Sequence, residues 1–233
     1  MKLDDAKVLI TGGSSGIGKA TARLLRARGA KVAICGRNEE RLREAAEETG
    51  AIGIPADVSD EADVARLVAR TIEELGGFDV LINNAGIGTF APLIETSADD
   101  MRRVWETNVL GAMLVARESA RHFISQRRGN IVNVASTAGL KAGPGGTAYA
   151  STKFALRGMT ESWRAELRTH DIRVLLVNPS EVVTDFFRAA GRSQKPSDRK
   201  LRGDEIAHAI VAMLEMDDRG MLVEATVHAT NPD

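Results

Sequence analysis

The feature that most constrains this chain is an alternation carried along nearly its whole length. Short β-branched and aliphatic runs of strand length are separated by longer segments of helical period. The runs cover residues 8–10, 32–34, 52–54, 80–82, 131–134, 174–177 and 221–227. Between the third and fourth, Val64, Leu67, Val68, Ile72 and Leu75 recur at three- and four-residue steps and so share one helix face. Ser59 stands where that helix needs an N-cap, with Asp60 and Glu61 in its first turn. Strands joined by helical crossovers lie parallel, and the helices cover both faces of the sheet. The expectation is one doubly wound α/β domain over 1–233, built on a parallel seven-stranded sheet. Ligands on such sheets bind beyond the carboxyl ends of the strands.

Several classes of function are excluded early. The 31 Lys and Arg residues are balanced by 32 Asp and Glu, so the chain has no general attraction for nucleic acid or an anionic membrane. The single cysteine, Cys35, allows no internal disulfide and belongs to an apolar run, where a small buried residue is expected. His122, His170, His208 and His228 are scattered and form no metal-ligand spacing, so no metal site is expected. No stretch approaches the ~20 apolar residues of a membrane span, and the opening residues lack the apolar region of a signal peptide. A cytoplasmic protein is the expectation. The stretch 188–202, rich in Arg, Lys, Ser and Gly, reads either as a loop over a substrate or as a solvated connection.

After the first strand comes Thr11-Gly12-Gly13-Ser14-Ser15-Gly16-Ile17-Gly18, leading into a helix over 19–28. Glycines allow a tight turn and close approach of backbone to ligand, while a helix N-terminus presents free amides to a pyrophosphate. Two other readings overlap this dinucleotide cradle. Residues 12–16 match a hydrolase nucleophile elbow centred on Ser14, for which Asp185 and His208 could serve as acid and base only by an arrangement of convenience. Residues 13–19 imitate a triphosphate loop, but Ala20 stands where a magnesium-binding hydroxyl is required.

Further along, Tyr149-Ala150-Ser151-Thr152-Lys153 opens a helix that runs to about His170. A spacing of four places the phenol and the ammonium on one face, where a cation favours the phenolate and lowers a pKa ordinarily about 10. Such a phenol exchanges protons near neutral pH. Thirteen residues before it, Ser136 follows the fifth strand at the ligand-binding edge, where its hydroxyl can orient a substrate oxygen. Taken alone, Tyr149 and Lys153 also read as a surface pair. Agreement with the glycine loop and Ser136 favours chemistry.

With these motifs in order, the chain resembles the short-chain dehydrogenase/reductase family from about Ala6 to Val227. The matching residues are 11–18, Asp57-Val58, Asn83-Asn84-Ala85-Gly86, Asn108, Ser136, Tyr149 with Lys153, and Pro179 with Thr184. The nearest likeness is to carbonyl reductases of the 3-oxoacyl-carrier-protein reductase type. The resemblance implies a Rossmann fold and hydride transfer between a nicotinamide cofactor and a carbonyl or alcohol, with a small-molecule substrate. By it Tyr149 is the general acid, Ser136 binds the reacting oxygen, and Lys153 holds the nicotinamide ribose and lowers the phenol pKa. Asn108 bends its helix around a water that relays protons to Lys153. Gly12, Ser14, Ser15, Gly16, Ile17 and Gly18 cradle the cofactor, Asp57 and Val58 contact adenine, Asn84 lies near ribose, and Val182 and Thr184 hold the carboxamide. The family usually has glycine where Ser180 stands here. It also implies a homodimer or homotetramer built on a long helical stretch, 97–126, for which Val104, Leu110, Met113, Leu114 and Val115 supply apolar surface.

After the second strand the chain reads Ile34-Cys35-Gly36-Arg37-Asn38. A carboxylate there accepts bonds from the adenosine ribose in NAD-selective sites and repels a 2′-phosphate. Here Gly36 takes its place and Arg37 follows, so NADP(H) is expected over NAD(H). A nucleotide sensor without turnover remains the non-enzymatic alternative.

Overall fold

A computed structural model describes residues 1–194 and 197–231. All seven expected strands are present: β1 (Lys7–Thr11), β2 (Lys31–Gly36), β3 (Ile52–Pro55), β4 (Val80–Asn83), β5 (Gly129–Val134), β6 (Ile172–Pro179) and β7 (Glu224–Val227). They form one sheet in the order β3-β2-β1-β4-β5-β6-β7, every pair parallel. Helices α1 (Gly16–Ala27), α2 (Glu39–Thr49), α3 (Glu61–Leu75), α4 (Ala98–Trp105), α5 (Ala112–Gln126), α6 (Thr147–Leu167), α7 (Asp185–Ala189) and α8 (Gly203–Glu215) connect them.

Strand side chains alternate between two cores, as period two requires. Val8 and Ile10 pack with Leu25 of α1, Leu42 of α2 and Ile210 of α8. Leu9 joins Leu67 of α3 and Val115 and Phe123 of α5 on the other face. Cys35 is buried there, as expected, and burial pushes its thiol up to about 12. A parallel sheet covered on both sides results.

Four local expectations change. Asp60, not Ser59, caps α3, accepting the backbone N–H of Asp63 at 2.8 Å. Ser59 is diverted, because its amide and hydroxyl both donate to Asp57, at 2.9 and 2.6 Å. The last strand begins at Glu224 rather than at residue 221, with Leu222 and Val223 exposed, since pairing with β6 starts at Leu176 opposite Glu224. Residues 97–126 form α4 and α5 joined by a π turn, Glu106–Gly111, which contains Asn108. The stretch 188–202 is not wholly a loop, because α7 reaches Ala189; residues 195 and 196 lie outside the described ones.

The apolar set expected to face a partner subunit also divides. Val104, Leu114 and Val115 are buried in their own subunit, and Met113 is partly buried. Leu110 remains exposed, and Trp105 and Phe154 are exposed on α4 and α6. A helical stretch presents only one face to a partner, and the core claims the opposite one.

Candidate active site

Strand β1 ends at Thr11, whose hydroxyl accepts the backbone N–H groups of Asn84 and Ala85 at 3.0 Å each. The Asn84 side-chain amide donates back to the carbonyls of Thr11, at 3.0 Å, and Gly12, at 3.1 Å. These bonds stitch β1 to β4 where the strand order reverses, the crevice in which such sheets hold dinucleotides. Gly12 has φ +64°, and a Cβ on Gly18 would stand 2.4 Å from the Gly12 carbonyl oxygen. The loop folds this tightly only because both lack side chains. Ser15 caps α1 in an extended conformation without a side-chain bond, so first-turn amides are left for a phosphate. Ile17 packs against the core and anchors the loop from below.

Beside this loop opens a cavity of about 430 Å³, lined by Ser14, Ser15, Lys19, Arg41 and Thr184 among others. Thr184 caps α7, and its methyl group comes within 3.1 Å of the Cβ position on Gly16. Val182 is buried in a bridge with Leu201. The segment after β6 therefore closes against the glycine loop. Arg41, which sequence reasoning passed over, reaches across to Asp185 at 3.2 Å.

At the end of β3, burial pushes the Asp57 carboxyl up, but the two bonds from Ser59 and the charge of Arg37 outweigh it. Asp57 is held below the ordinary carboxylate range. Arg37 is exposed, with Nη1 3.8 Å from Asp57. Val58 is buried against Gly111, where a Cβ would stand 2.9 Å from its Cγ2. Arg37 and Asp57 thus stand together at the rim, with Val58 beneath.

Ser136 bonds to Tyr149, Lys153 lies against the Tyr149 ring, and Lys153 and Asn108 both approach Gly86. Ser136 caps a 3₁₀ turn, its Oγ accepting the Ala138 N–H at 3.1 Å. Tyr149 lies in the first turn of α6, and Lys153 Nζ stands 5.6 Å from its ring centroid. A Cβ on Gly86 would approach Asn108 Oδ1 to 3.3 Å and Lys153 Nζ to 3.7 Å. The Asn108 side chain accepts from the Ile87 N–H at 2.8 Å and donates to the Ile87 carbonyl at 2.9 Å and to Thr152 Oγ1 at 3.0 Å. It clamps the segment after β4, while its π turn departs from regular α bonding.

One electrostatic expectation is reversed. Burial pushes the Tyr149 phenol up to about 12, only partly offset by a hydrogen bond with Ser136. Lys153 is tied to the end of β5. Its ammonium donates to the Val134 carbonyl at 3.1 Å, and burial pushes it down to about 8. Phe90 and Phe186, each with its centroid 5.3 Å from that of Tyr149, enclose the phenol in apolar surroundings. The phenol therefore holds its proton at neutral pH.

The hydrolase elbow is not assembled. Asp185 pairs with Arg41 and Arg188, and His208 Nδ1 is engaged by the Asp204 carbonyl at 2.8 Å. Among the described residues no cluster of three or more His, Cys, Asp or Glu side chains could hold a metal ion, and no helix is long and apolar enough to cross a membrane.

A dinucleotide-type glycine loop together with a half-buried tyrosine paired with a buried lysine defines an oxidoreductase working with a nicotinamide cofactor. The chain belongs to the short-chain dehydrogenase/reductase family: residues 6–195 match short chain dehydrogenase. It is 36% identical to a 3-oxoacyl-[acyl-carrier-protein] reductase of Bos taurus over 91% of this chain and 92% of that one. An alcohol dehydrogenase from Thermococcus sibiricus complexed with 5-hydroxy-NADP superposes with a TM-score of 0.86 at 28% identity, covering 98% of this chain and 99% of that one. An NAD+-bound xylitol dehydrogenase gives 0.86 at 30% identity, covering 98% and 100%. The protein is an enzyme of this family, acting between carbonyl and alcohol with NAD(P).

Proposed function

We propose that the protein, acting as one domain over 1–233, is an NADP(H)-dependent reductase that interconverts a ketone or 3-oxoacyl carbonyl and a secondary alcohol. The observation that carries this reading is the linkage of Ser136, Tyr149 and Lys153 by a Ser136–Tyr149 hydrogen bond and a Lys153–Tyr149 ring contact, with Lys153 Nζ close to Gly86 after β4. NADP(H), when bound, supplies the hydride for the carbonyl carbon in reduction and takes it back in oxidation. Ser136 holds the carbonyl oxygen, and the Tyr149 hydroxyl gives it the proton. Transfer leaves a phenolate, and the Lys153 ammonium, whose Nζ lies 5.6 Å from the Tyr149 ring centroid, favours that anion. Asn108 positions rather than reacts, holding Ile87 and, through Thr152, the helix that carries Tyr149. The cradle of 12–18 fits the pyrophosphate, Asn84 braces it, Asp57 and Val58 border the adenine, and Val182 and Thr184 border the carboxamide.

Selection of NADP(H) rests on Gly36 and Arg37. No carboxylate ends β2, and a Cβ on Gly36 would stand 3.2 Å from Ser14 Oγ, so this end of the strand lies against the phosphate loop. Among the described residues Arg37 pairs with Asp57 at 3.8 Å, an exposed pair of the kind worth about 0–1 kcal/mol, which a phosphate displaces readily. A charge-assisted bond to phosphate contributes about 1.5–3 kcal/mol, or a preference on the order of 10- to 100-fold in kcat/KM. The expected result is that wild type prefers NADPH by that margin and Arg37→Ala loses it. Equal use of NADH by wild type, or an undiminished preference in the variant, counts against the assignment.

We also propose a homodimer or homotetramer in the cytoplasm, with Trp105, Leu110 and Phe154 as the apolar face that a partner subunit covers.

A further inference from the structure

Three of the chain's six phenylalanines gather on its one tyrosine. Phe90 follows β4, while Phe186 and Phe187 stand side by side on α7. Phe90 and Phe186 lie tilted at 51° and 56° against the Tyr149 ring, each 5.3 Å from it. Phe187 stacks on Phe90 at 5.9 Å and meets Phe186 edge-on at 5.5 Å. Gly88 makes the room, because a Cβ there would stand 2.8 Å from Phe186 and 3.0 Å from Phe90.

These rings do not belong to the cores beneath the sheet, whose aromatic members are Phe78 and Phe123. They stand at the ligand edge, partly exposed, around the proton donor. The backbone N–H of Arg192 donates to the Phe187 carbonyl at 2.8 Å, and its guanidinium lies 4.9 Å from the Phe90 centroid. That contact covers Phe90 with a cation and ties the segment after α7 to the ring cluster. The reacting phenol is therefore bordered by aromatic surface. Apolar walls with one or two convergent polar groups select by shape and by ring contact.

We propose that Phe90, Phe186 and Phe187 determine specificity, selecting carbonyl substrates that carry an aryl or alicyclic ring within a bond or two of the carbonyl and rejecting small polar ketones. This rests on the reductase reading given above. A ring on the substrate takes the place beside Phe90 and Phe186 that surrounds Tyr149, with its carbonyl oxygen at Ser136. The linear arm of a 3-oxoacyl thioester offers no such contact.

The test compares phenylacetone, hydroxyacetone and acetoacetyl-coenzyme A, which share a methyl ketone, by NADPH oxidation with wild type, Phe186→Ala, Phe186→Leu and Phe90→Ala. Wild type is expected to favour phenylacetone by at least about tenfold in kcat/KM, the scale on which one apolar group is discriminated in a fitted pocket. Phe186→Ala and Phe90→Ala should each reduce that preference about tenfold, mainly through KM, with the loss on phenylacetone exceeding any loss on hydroxyacetone. Phe186→Leu, which keeps bulk but not the ring, should lose part of the preference. Equal loss on all substrates means the rings only support α7, and wild-type preference for hydroxyacetone or the thioester means the wall does not select; either result overturns the proposal and leaves the reductase reading standing. Reduction of no ketone or aldehyde by wild type that binds NADPH overturns both.

Discussion

Tyr149→Phe should lower kcat/KM for carbonyl reduction by about 10²- to 10⁴-fold, the usual contribution of a general acid, while NADPH affinity stays within about threefold. The substitution removes one hydroxyl and keeps the ring that packs between Phe90 and Phe186, so the site retains its shape. Kinetics on the variant, with an NADPH binding titration beside them, check both parts. Retention of more than about a tenth of the wild-type rate would contradict the assigned role. The wild-type pH profile follows from the same pair. With the phenol pushed up to about 12, the proton donor stays loaded throughout the neutral range. The group that titrates first is Lys153, pushed down to about 8, charged below that pH and neutral above it. Reduction measured as kcat/KM, which reports the free enzyme, should be level below pH 8 and fall above it as the ammonium that favours the phenolate is lost.

Gly18→Ala carries the second large effect. A Cβ there meets the Gly12 carbonyl oxygen at 2.4 Å, a backbone atom that cannot rotate away, and the Asn84 amide at 2.7 Å. The loop and the start of α1 must separate, disturbing the amides that would face the pyrophosphate. Loss of one charge-assisted bond, about 1.5–3 kcal/mol, predicts NADPH binding weakened about 10- to 100-fold. Overpacking adds a stability loss of about 1–3 kcal/mol. Gly158→Ala is the control, since a Cβ in that part of α6 meets nothing within 4 Å. It should leave binding unchanged and raise stability by about 0.4–1 kcal/mol. Calorimetric titration and thermal unfolding read both, and equal NADPH affinity in the two variants would sink the cradle argument.

Much of this was legible in the chain because it depends on local spacing. The strand runs, the glycine turn and the four-residue step from Tyr149 to Lys153 each express one element's geometry. Features made by contact between distant elements were not legible. The phenol's direction of shift depends on burial, to which Phe90 and Phe186 contribute, and neither stands near Tyr149 in the sequence. Asn108 could be singled out, but Ile87 as its partner could not. At the start of α3 two capping residues competed, and Asp60 prevailed because Ser59 was committed to Asp57. Five residues are too few to show helical period, so α7 and its phenylalanines passed unread, although Phe186-Phe187 inside a polar stretch was a visible signal.

The central claim is that a hydride is delivered to a carbonyl carbon as Tyr149 delivers a proton to its oxygen. It is tested most directly by supplying NADPH labelled with deuterium at the transferable C4 position, together with ketones and aldehydes, and locating the label by mass spectrometry. The account predicts alcohol carrying one deuterium on the carbinol carbon with wild type, and almost no labelled alcohol with Tyr149→Phe. Binding of NADPH without alcohol formation, or alcohol that carries no label, would contradict it.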